Sequence, residues 1–216
     1  MTRAVAIIPA RYGSQRLPAK PLAEIAGKTM LQHVYERAAQ ASLIERVIVA
    51  TDDERIVRAV ERFGGVAVMT PASLQSGTDR VAVAAQTVAD ADIVVNVQGD
   101  EPLIAPAMLD EGVRVMSESD APVGTLVRRI ERDEELFNPH VVKVVLAADG
   151  TCLYFSRSPI PFGRDKAQTE WLKHHSYYKH IGLYVFRRPF LLKFAALPQT
   201  PLERAEKLEQ LRILEH

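Results

Sequence analysis

Residues 46–69 read RVIVATDDERIVRAVERFGGVAVM, and this stretch decides the fold class. Arg46 to Ala50 is a short apolar run rich in β-branched residues, which predicts a buried strand. Glu54 to Phe63 carries apolar residues at helical spacing and precedes Gly64, a typical helix stop, so it predicts a helix. Val66 to Met69 predicts the next strand. A strand, a helix and a strand in this order indicate a parallel βαβ unit.

The same alternation extends in both directions from this unit. Before it, Val5 to Pro9 predicts a strand, and apolar residues at helical spacing follow Thr29, a plausible N-cap. After it, Thr78 to Ala89 predicts a helix and Ile93 to Val97 a further strand. Continuously apolar strands are typical of parallel sheets covered on both faces. The sequence therefore predicts a doubly wound α/β sheet.

The pattern changes at about residue 121. The predicted strands are now Val123–Arg129, Val141–Ala147, Cys152–Ser156 and Tyr178–Arg187, and the predicted closing helices are Pro189–Ala196 and Leu202–Glu215. Asp149-Gly150 indicates a tight hairpin, so these strands are expected to form an antiparallel extension of a mixed sheet. We expect one α/β domain over 1–216, with its core at 1–120, the extension at 121–190 and closing helices at 191–216.

Composition excludes several classes of protein. A hydrophobic share of 47% with 25% charged residues excludes intrinsic disorder. The 27 basic and 27 acidic residues cancel, so no global charge favours nucleic acid or an anionic membrane. The longest apolar runs are far shorter than a transmembrane helix, and the start does not match a signal peptide. Cys152 is expected to be a buried structural thiol. We expect a cytoplasmic protein without membrane insertion and without nucleic acid as a partner.

The loop after the first strand is the first candidate for chemistry, because open α/β sheets bind ligands at the carboxyl ends of their strands. This loop contains neither G-x-G-x-x-G nor the P-loop motif. It carries three cations, Arg11, Arg16 and Lys20, between stiffening prolines. Cations so placed can clamp a polyphosphate and offset charge in a phosphoryl-transfer transition state. The alternative is a solvated surface loop.

Other polar residues follow the next strands. The stretch Ala50-Thr51-Asp52-Asp53 comes at the end of the second strand, and its aspartates are either site residues or a helix cap. Ser76-Gly77-Thr78 is either a turn with an N-cap or a place where the backbone approaches a flat base. Arg80, one turn further, is within reach of an anion over the same crevice.

Gln98-Gly99-Asp100 follows the strand Ile93 to Val97. A carboxylate at the carboxyl end of a buried strand suits Mg²⁺, which takes one or two carboxylates together with substrate phosphate oxygens. Gln98 adds an amide donor for a substrate carboxylate or hydroxyl. The alternative for Asp100 is an ordinary turn carboxylate.

Together these segments resemble the CMP-sugar synthetases. The resemblance follows the family order over nearly the whole chain, in the blocks Ile7–Tyr12, Arg16–Leu22, Val49–Asp52, Gln75–Arg80, Val95–Pro102, Asn138-Pro139, Val142–Val145, Tyr154–Arg157, His180–Tyr184 and Leu208–Arg212. It implies a three-layer, nucleotide-diphospho-sugar-transferase-like fold, with a Rossmann-like parallel core sheet and a mixed, antiparallel extension. It also implies a homodimer.

The later blocks of this resemblance imply a cytidylyltransferase that activates 3-deoxy-D-manno-octulosonate (Kdo) with CTP for lipopolysaccharide biosynthesis. The implied nucleotide site has Arg11, Arg16 and Lys20 on the phosphates, Ala10, Ser76 and Gly77 near the cytosine, and Asp52 near the nucleotide sugar. Asp100 is the implied Mg²⁺ ligand and, with Arg11 and Lys20, a catalytic residue. The implied Kdo pocket consists of Arg80, Gln98, His180, Tyr184, Glu209 and Gln210.

Alternatives remain for parts of this interpretation. His180 and Tyr184 are otherwise ordinary strand packing, and Glu209 and Gln210 are otherwise a solvated helix face. Family members continue to a D-T-P-x-D-L-like segment whose first Asp is the second Mg²⁺ carboxylate, and this sequence stops at His216 before it. The rival functions are the same chemistry on sialic acid or 8-amino-Kdo and, if the chain truly ends at His216, a non-catalytic nucleotide-binding protein.

Overall fold

A computed structural model of the protein describes residues 2–13, 19–74 and 76–216. Its strands are β1 (Ala4–Ala10), β2 (Glu24–Ile25), β3 (Lys28–Thr29), β4 (Arg46–Thr51), β5 (Val66–Met69), β6 (Ile93–Asn96), β7 (Val123–Arg129), β8 (Lys143–Leu146), β9 (Cys152–Ser156) and β10 (Tyr178–Arg187). Its α-helices are α1 (Met30–Ala38), α2 (Glu54–Arg62), α3 (Gly77–Ala85), α4 (Pro106–Glu118), α5 (Asp133–Phe137), α6 (Trp171–His174), α7 (Arg188–Phe194), α8 (Pro201–Glu206) and α9 (Gln210–Glu215).

The chain divides into two compact units, the first formed by the described residues up to Gly124 together with Gly182–Ala196. In this unit β5, β4, β1 and β6 lie side by side in that order and run parallel. The end of β10 pairs antiparallel with β6. The predicted parallel core within a mixed sheet is confirmed. Its strand order is Rossmann-like, with the switch in order between β1 and β6.

The sequence signals for the ends of α1 and α2 are confirmed by the structure. Thr29 caps α1 by accepting a hydrogen bond from the Gln32 amide at 3.1 Å. Asp53 caps α2, and Gly64 follows that helix with a positive φ of 79°. The strands between the helices are buried, as continuous apolar runs require: Ile7, Ile8, Val49, Val94 and Val95 are fully inaccessible to solvent.

The second unit comprises Thr125–Ile181 and Leu197–His216. Here β8 pairs antiparallel with β9, which confirms the predicted hairpin, and with the first residues of β10. One apolar cluster contains Val144, Phe155, Leu208 and Leu211, so the end of the chain packs on this sheet. The expectation of a single domain over 1–216 stays a prediction.

The structure corrects one predicted helix and adds three. The helix predicted over Leu202–Glu215 is wrong as a single element, because Lys207 adopts a left-handed conformation (φ 55°) that separates α8 from α9. The helices α4, α5 and α6 were not predicted. Cys152 is half-buried, and burial raises the pKa of its thiol. Within the described ranges, no helix combines the length and apolar character needed to cross a membrane.

Candidate functional site

A cavity of about 310 Å³ opens in the first unit where β1 and β6 end. This volume lies at the lower end of the range for small-molecule sites. Seven of the residues predicted for the site line it: Ala10, Arg11, Lys20, Gly77, Arg80, Gln98 and Asp100. The cavity therefore lies where the rule about the switch in strand order predicts a ligand site.

The loop after β1 is closed at its base. The Ala19 amide donates to the Tyr12 carbonyl at 2.9 Å, and Ala19 takes a left-handed φ of 57°. Lys20 then opens a 3₁₀ turn whose Pro21 is buried. These contacts fix the backbone on both sides of Lys20, whose side chain lines the cavity. Arg16, the third predicted cation, lies outside the described residues.

Arg11 is half-buried in the cavity wall. Its guanidinium donates to the carbonyl of Leu74 and to that of Ser76 at 3.5 Å. The Ser76 hydroxyl accepts from the Asp79 amide, and the Asp79 carboxylate accepts from the Ser76 amide, which makes a capping box on α3. The N-cap alternative is therefore correct for the Ser76 side chain, while its carbonyl helps to hold Arg11.

The turn after β6 depends on glycine. A Cβ atom at Gly99 would lie 2.9 Å from the Pro9 carbonyl oxygen, closer than real Cβ contacts. The turn can therefore press against the end of β1, with Gln98 and Asp100 on either side of the contact. Gln98 lies against Gly182 of β10, where an added Cβ would be 3.6 Å from its Cγ.

Lys20 and Asp100 form an ion pair across the cavity, with Nζ 2.5 Å from Oδ2. Both side chains are partly open to solvent, at 36% and 48% exposure, so a charged ligand can reach either. An exposed pair of this kind is worth only about 0–1 kcal/mol. Phosphate can therefore replace Asp100 as the partner of Lys20 at little cost, which would leave the Asp100 carboxylate for a cation.

Arg80 and Asp52 form a second ion pair beside the cavity. The Arg80 guanidinium donates to Asp52 Oδ2 at 2.7 Å and to the Thr70 hydroxyl. Arg80 is completely buried, and this desolvation lowers the pKa of its guanidinium. The cap alternative is correct for this stretch at Asp53, which caps α2, while the neighbouring Asp52 pairs with Arg80 instead.

Sequence reasoning missed several supporting residues here. Thr70 directly follows β5, so the same rule about strand ends would have found it. Tyr12 is covered by the Arg55 guanidinium, whose carbon lies 3.4 Å from the ring centroid. Asp53 in turn binds Arg55 through both oxygens, at 2.9 and 2.6 Å. No local sequence pattern predicts the stacking of Arg55 on Tyr12, because it joins a helix to a loop.

Tyr184 lies in the part of β10 that belongs to the first unit. It is half-buried, is the register partner of Asn96 in β6, and its ring stacks on Phe186 with centroids 5.9 Å apart. Packing on the sheet is thus one role of this side chain.

The other predicted sugar-binding residues belong to the second unit. His180 Nε2 lies 2.9 Å from the Thr125 hydroxyl, and its ring meets Phe155 edge-on at 5.2 Å. Glu209 is half-buried at the start of α9, and Gln210 is only 6% exposed. The solvated-face alternative is therefore wrong for Gln210.

His180 makes stability depend on pH. Burial lowers the pKa of His180 to about 4, whereas the pKa of a histidine in the unfolded chain is about 6.5. The native state thus binds fewer protons between these values, and the free energy of unfolding falls as the pH drops through this window. When the pH is lowered from about 7.5 to about 5, the free energy of unfolding should fall by about 2 kcal/mol less in His180→Gln than in the wild type, as measured by urea unfolding. Equal losses in the two proteins would contradict this assignment.

Among the described residues, no group of three or more His, Cys, Asp or Glu side chains is arranged to hold a metal ion. A site made wholly of protein ligands is thus not present in that part of the chain. Asp100 alone fits a different arrangement, in which Mg²⁺ takes one carboxylate and completes its shell with phosphate oxygens and water.

Comparison with known proteins gives a consistent result. The family model described as Cytidylyltransferase matches residues 5–216. Proteins named 3-deoxy-manno-octulosonate cytidylyltransferase from Geobacter metallireducens and Geobacter sulfurreducens are 56% and 55% identical over 98% of this chain, which spans 85% and 86% of theirs. A CMP-2-keto-3-deoxy-manno-octonic acid synthetase solved with CTP is 46% identical, with a TM-score of 0.92 over 99% of this chain and 86% of that one.

Proposed function

This chain belongs to the cytidylyltransferase family, and we propose that it couples CTP to Kdo, giving CMP-Kdo and pyrophosphate. The observation that carries the proposal is the 56% identity, over 98% of the chain, to a protein named for this reaction. The cavity at the ends of β1 and β6 supports it, because cations and a carboxylate converge there on a space for a small molecule.

The reaction needs positioning and charge neutralisation rather than a protein nucleophile. The anomeric hydroxyl oxygen of Kdo forms a bond to the α-phosphorus of CTP, the bond from that phosphorus to the bridging oxygen breaks, and pyrophosphate leaves. The hydroxyl proton passes to solvent. Arg11 and Lys20, both in the cavity wall, would bind the phosphates and offset the charge that grows on them.

We also propose Mg²⁺ as the cofactor and Asp100 as the residue of the described chain that holds it. The half-exposed carboxylate faces the same cavity as the two cations. When bound, the metal would neutralise phosphate oxygens. Asp100 would fix its position relative to Lys20, whose ammonium would move from the carboxylate to the phosphates.

The Kdo contacts proposed from the family resemblance are Arg80, Gln98, His180, Tyr184, Glu209 and Gln210. Arg80 is engaged by Asp52 in this structure, so its contact with a sugar carboxylate would share the guanidinium with that pair. The homodimer and the cytoplasmic location stay predictions.

The proposed function is tested by pyrophosphate release from CTP. Release should require both Kdo and Mg²⁺. Faster release with sialic acid or 8-amino-Kdo would keep the chemistry and change the substrate. CTP binding without release for any of these sugar acids would instead favour the non-catalytic rival.

Lys20→Ala is expected to raise the Michaelis constant for CTP at least about tenfold, because a hydrogen bond between charged groups is worth about 1.5–3 kcal/mol. The constant for Kdo should change less than about twofold. Lys28→Ala is the matched control, since it removes a comparable exposed ion pair, with Glu36, away from the cavity. Weaker Kdo binding with unchanged CTP binding would show that Lys20 was assigned to the wrong substrate.

A further inference from the structure

The turn between α8 and α9 places two of the proposed sugar ligands. Lys207 takes a left-handed φ of 55° and ends α8, with its amide bonded to the Glu203 carbonyl. Leu208 then enters the apolar cluster, and Glu209 and Gln210 begin α9. The direction in which both side chains project is therefore set by this turn. A left-handed lysine costs about 1–2 kcal/mol, so surrounding contacts must hold it.

Arg157 supplies those contacts. Its Nε donates to the Glu206 carbonyl at 2.8 Å, and one terminal nitrogen donates to the Lys207 carbonyl at 3.3 Å. The other terminal nitrogen donates to the Pro139 carbonyl at 3.1 Å. One guanidinium thus binds the two carbonyls at the end of α8 and anchors them to a separate loop.

The Glu206 side chain closes the arrangement from the other side. Its two oxygens accept from the Ser156 hydroxyl at 2.6 Å and from the Arg157 amide at 3.0 Å. Arg157 and Glu206 therefore hold each other through both main chain and side chain. A planar guanidinium with a fixed set of donors suits this role, and a lysine ammonium does not.

Lys143 fixes the loop that serves as the anchor. This lysine is completely buried, and its Nζ donates to the carbonyls of Asn138 at 2.9 Å and Val141 at 2.6 Å. Pro139, which accepts from Arg157, lies between them. Arg157 thus binds α8 to a loop whose shape is held by a second cation, the buried Lys143.

Phe155, two residues before Arg157, connects the same strand to His180. Its ring meets His180 edge-on at 5.2 Å and packs in the cluster with Leu208 and Leu211. The end of β9 therefore supports His180 through Phe155 and the start of α9 through Arg157. Three proposed sugar ligands share one support, although they come from distant parts of the sequence.

We propose that Arg157 is a positioning residue for the sugar acid: with Glu206, it locks the left-handed turn at Lys207 and so sets where Glu209 and Gln210 project. The inference rests on the proposed function. Arg157 has no direct contact with substrate in this role, and the residues whose carbonyls it binds, Pro139, Glu206 and Lys207, are not among those proposed for the nucleotide. Its effect should therefore fall on the sugar and spare the nucleotide.

The test measures Michaelis constants for both substrates in Arg157→Ala, Arg157→Lys and Glu206→Gln, together with hydrogen exchange of the amides of residues 207–212. We expect Arg157→Ala to raise the constant for Kdo about tenfold or more, with less than about a twofold change for CTP. Exchange at 207–212 should become faster in the same variant. Arg157→Lys and Glu206→Gln should show smaller changes of the same kind, and they carry the test if Arg157→Ala does not fold.

Arg164→Ala is the control, because this arginine of the same unit is 89% exposed and its ion-pair partner is the similarly exposed Asp165. It should leave both constants and the exchange unchanged. Equal changes in the constants for Kdo and CTP, or a lower melting temperature with unchanged constants, would overturn the proposal. Failure of the proposed function is recognised separately, because the wild type would then release no pyrophosphate with Kdo.

Discussion

Asp100→Asn is expected to lower turnover roughly 100-fold or more at saturating CTP while the protein stays folded. The substitution replaces a charged hard ligand with a neutral amide of nearly the same size, so it removes affinity for Mg²⁺ without leaving a gap. It also releases Lys20 from its ion pair. Because both side chains are partly exposed, the melting temperature should change little.

The measurement is pyrophosphate release against Mg²⁺ concentration, with binding of Mn²⁺ to the CTP complex as a second readout. Asp165→Asn, at an exposed carboxylate of the second unit, is the control and should behave as the wild type. Near-native turnover of Asp100→Asn at ordinary Mg²⁺ concentration would show that Asp100 does not hold the metal.

Arg212→Met is expected to lower the free energy of unfolding by about 3–5 kcal/mol. The Arg212 guanidinium binds both oxygens of Glu203, at 2.9 and 2.6 Å, and the two side chains are only 4% and 6% exposed. Removing the cation leaves a carboxylate buried without its charge partner, which is far more costly than the pair itself is stabilising.

Urea unfolding of three proteins separates these contributions: wild type, Arg212→Met, and Arg212→Met combined with Glu203→Leu. The double variant should recover most of the loss, because it removes the unpaired charge together with its partner. A double variant as unstable as the single one would mean that packing of α8 and α9, rather than the buried charge, dominates the effect.

Most of the parallel core could be predicted because its signals are local. The apolar runs became β1, β4, β5 and β6, and Thr29 and Gly64 act at their helix ends as their chemistry predicts. α4 had comparable signals, a proline at its first position and buried apolar residues at helical spacing, and could have been found.

The break between α8 and α9 could not be predicted in this way. Residues 202–215 carry no proline or glycine, and their local pattern continues as one helix. At this break Arg157, far away in the sequence, binds the carbonyls of Glu206 and Lys207. Contacts with a distant side chain are not part of the local pattern from which helix propensity is read.

The candidate site, too, could be predicted only in part from the sequence. Its position followed from one general rule about strand ends, which identified Arg11, Gln98 and Asp100. The two ion pairs, Lys20 with Asp100 and Arg80 with Asp52, depend on which strands become neighbours. The residues of each pair are far apart in the sequence, so no local pattern predicts that they meet, and only the structure shows these ion pairs.

The pairing of β10 with β6 has a consequence for biosynthesis. β6 is complete once Asn96 has been made, but its antiparallel partner, Tyr184–Arg187, emerges much later. At roughly 5–20 residues per second, the ribosome leaves this edge uncovered for seconds. The edge belongs to a strand that is entirely buried in the finished protein, and such an edge readily pairs with other chains. A nascent chain that stalls before Tyr184 is thus expected to leave this edge open to pairing with other chains.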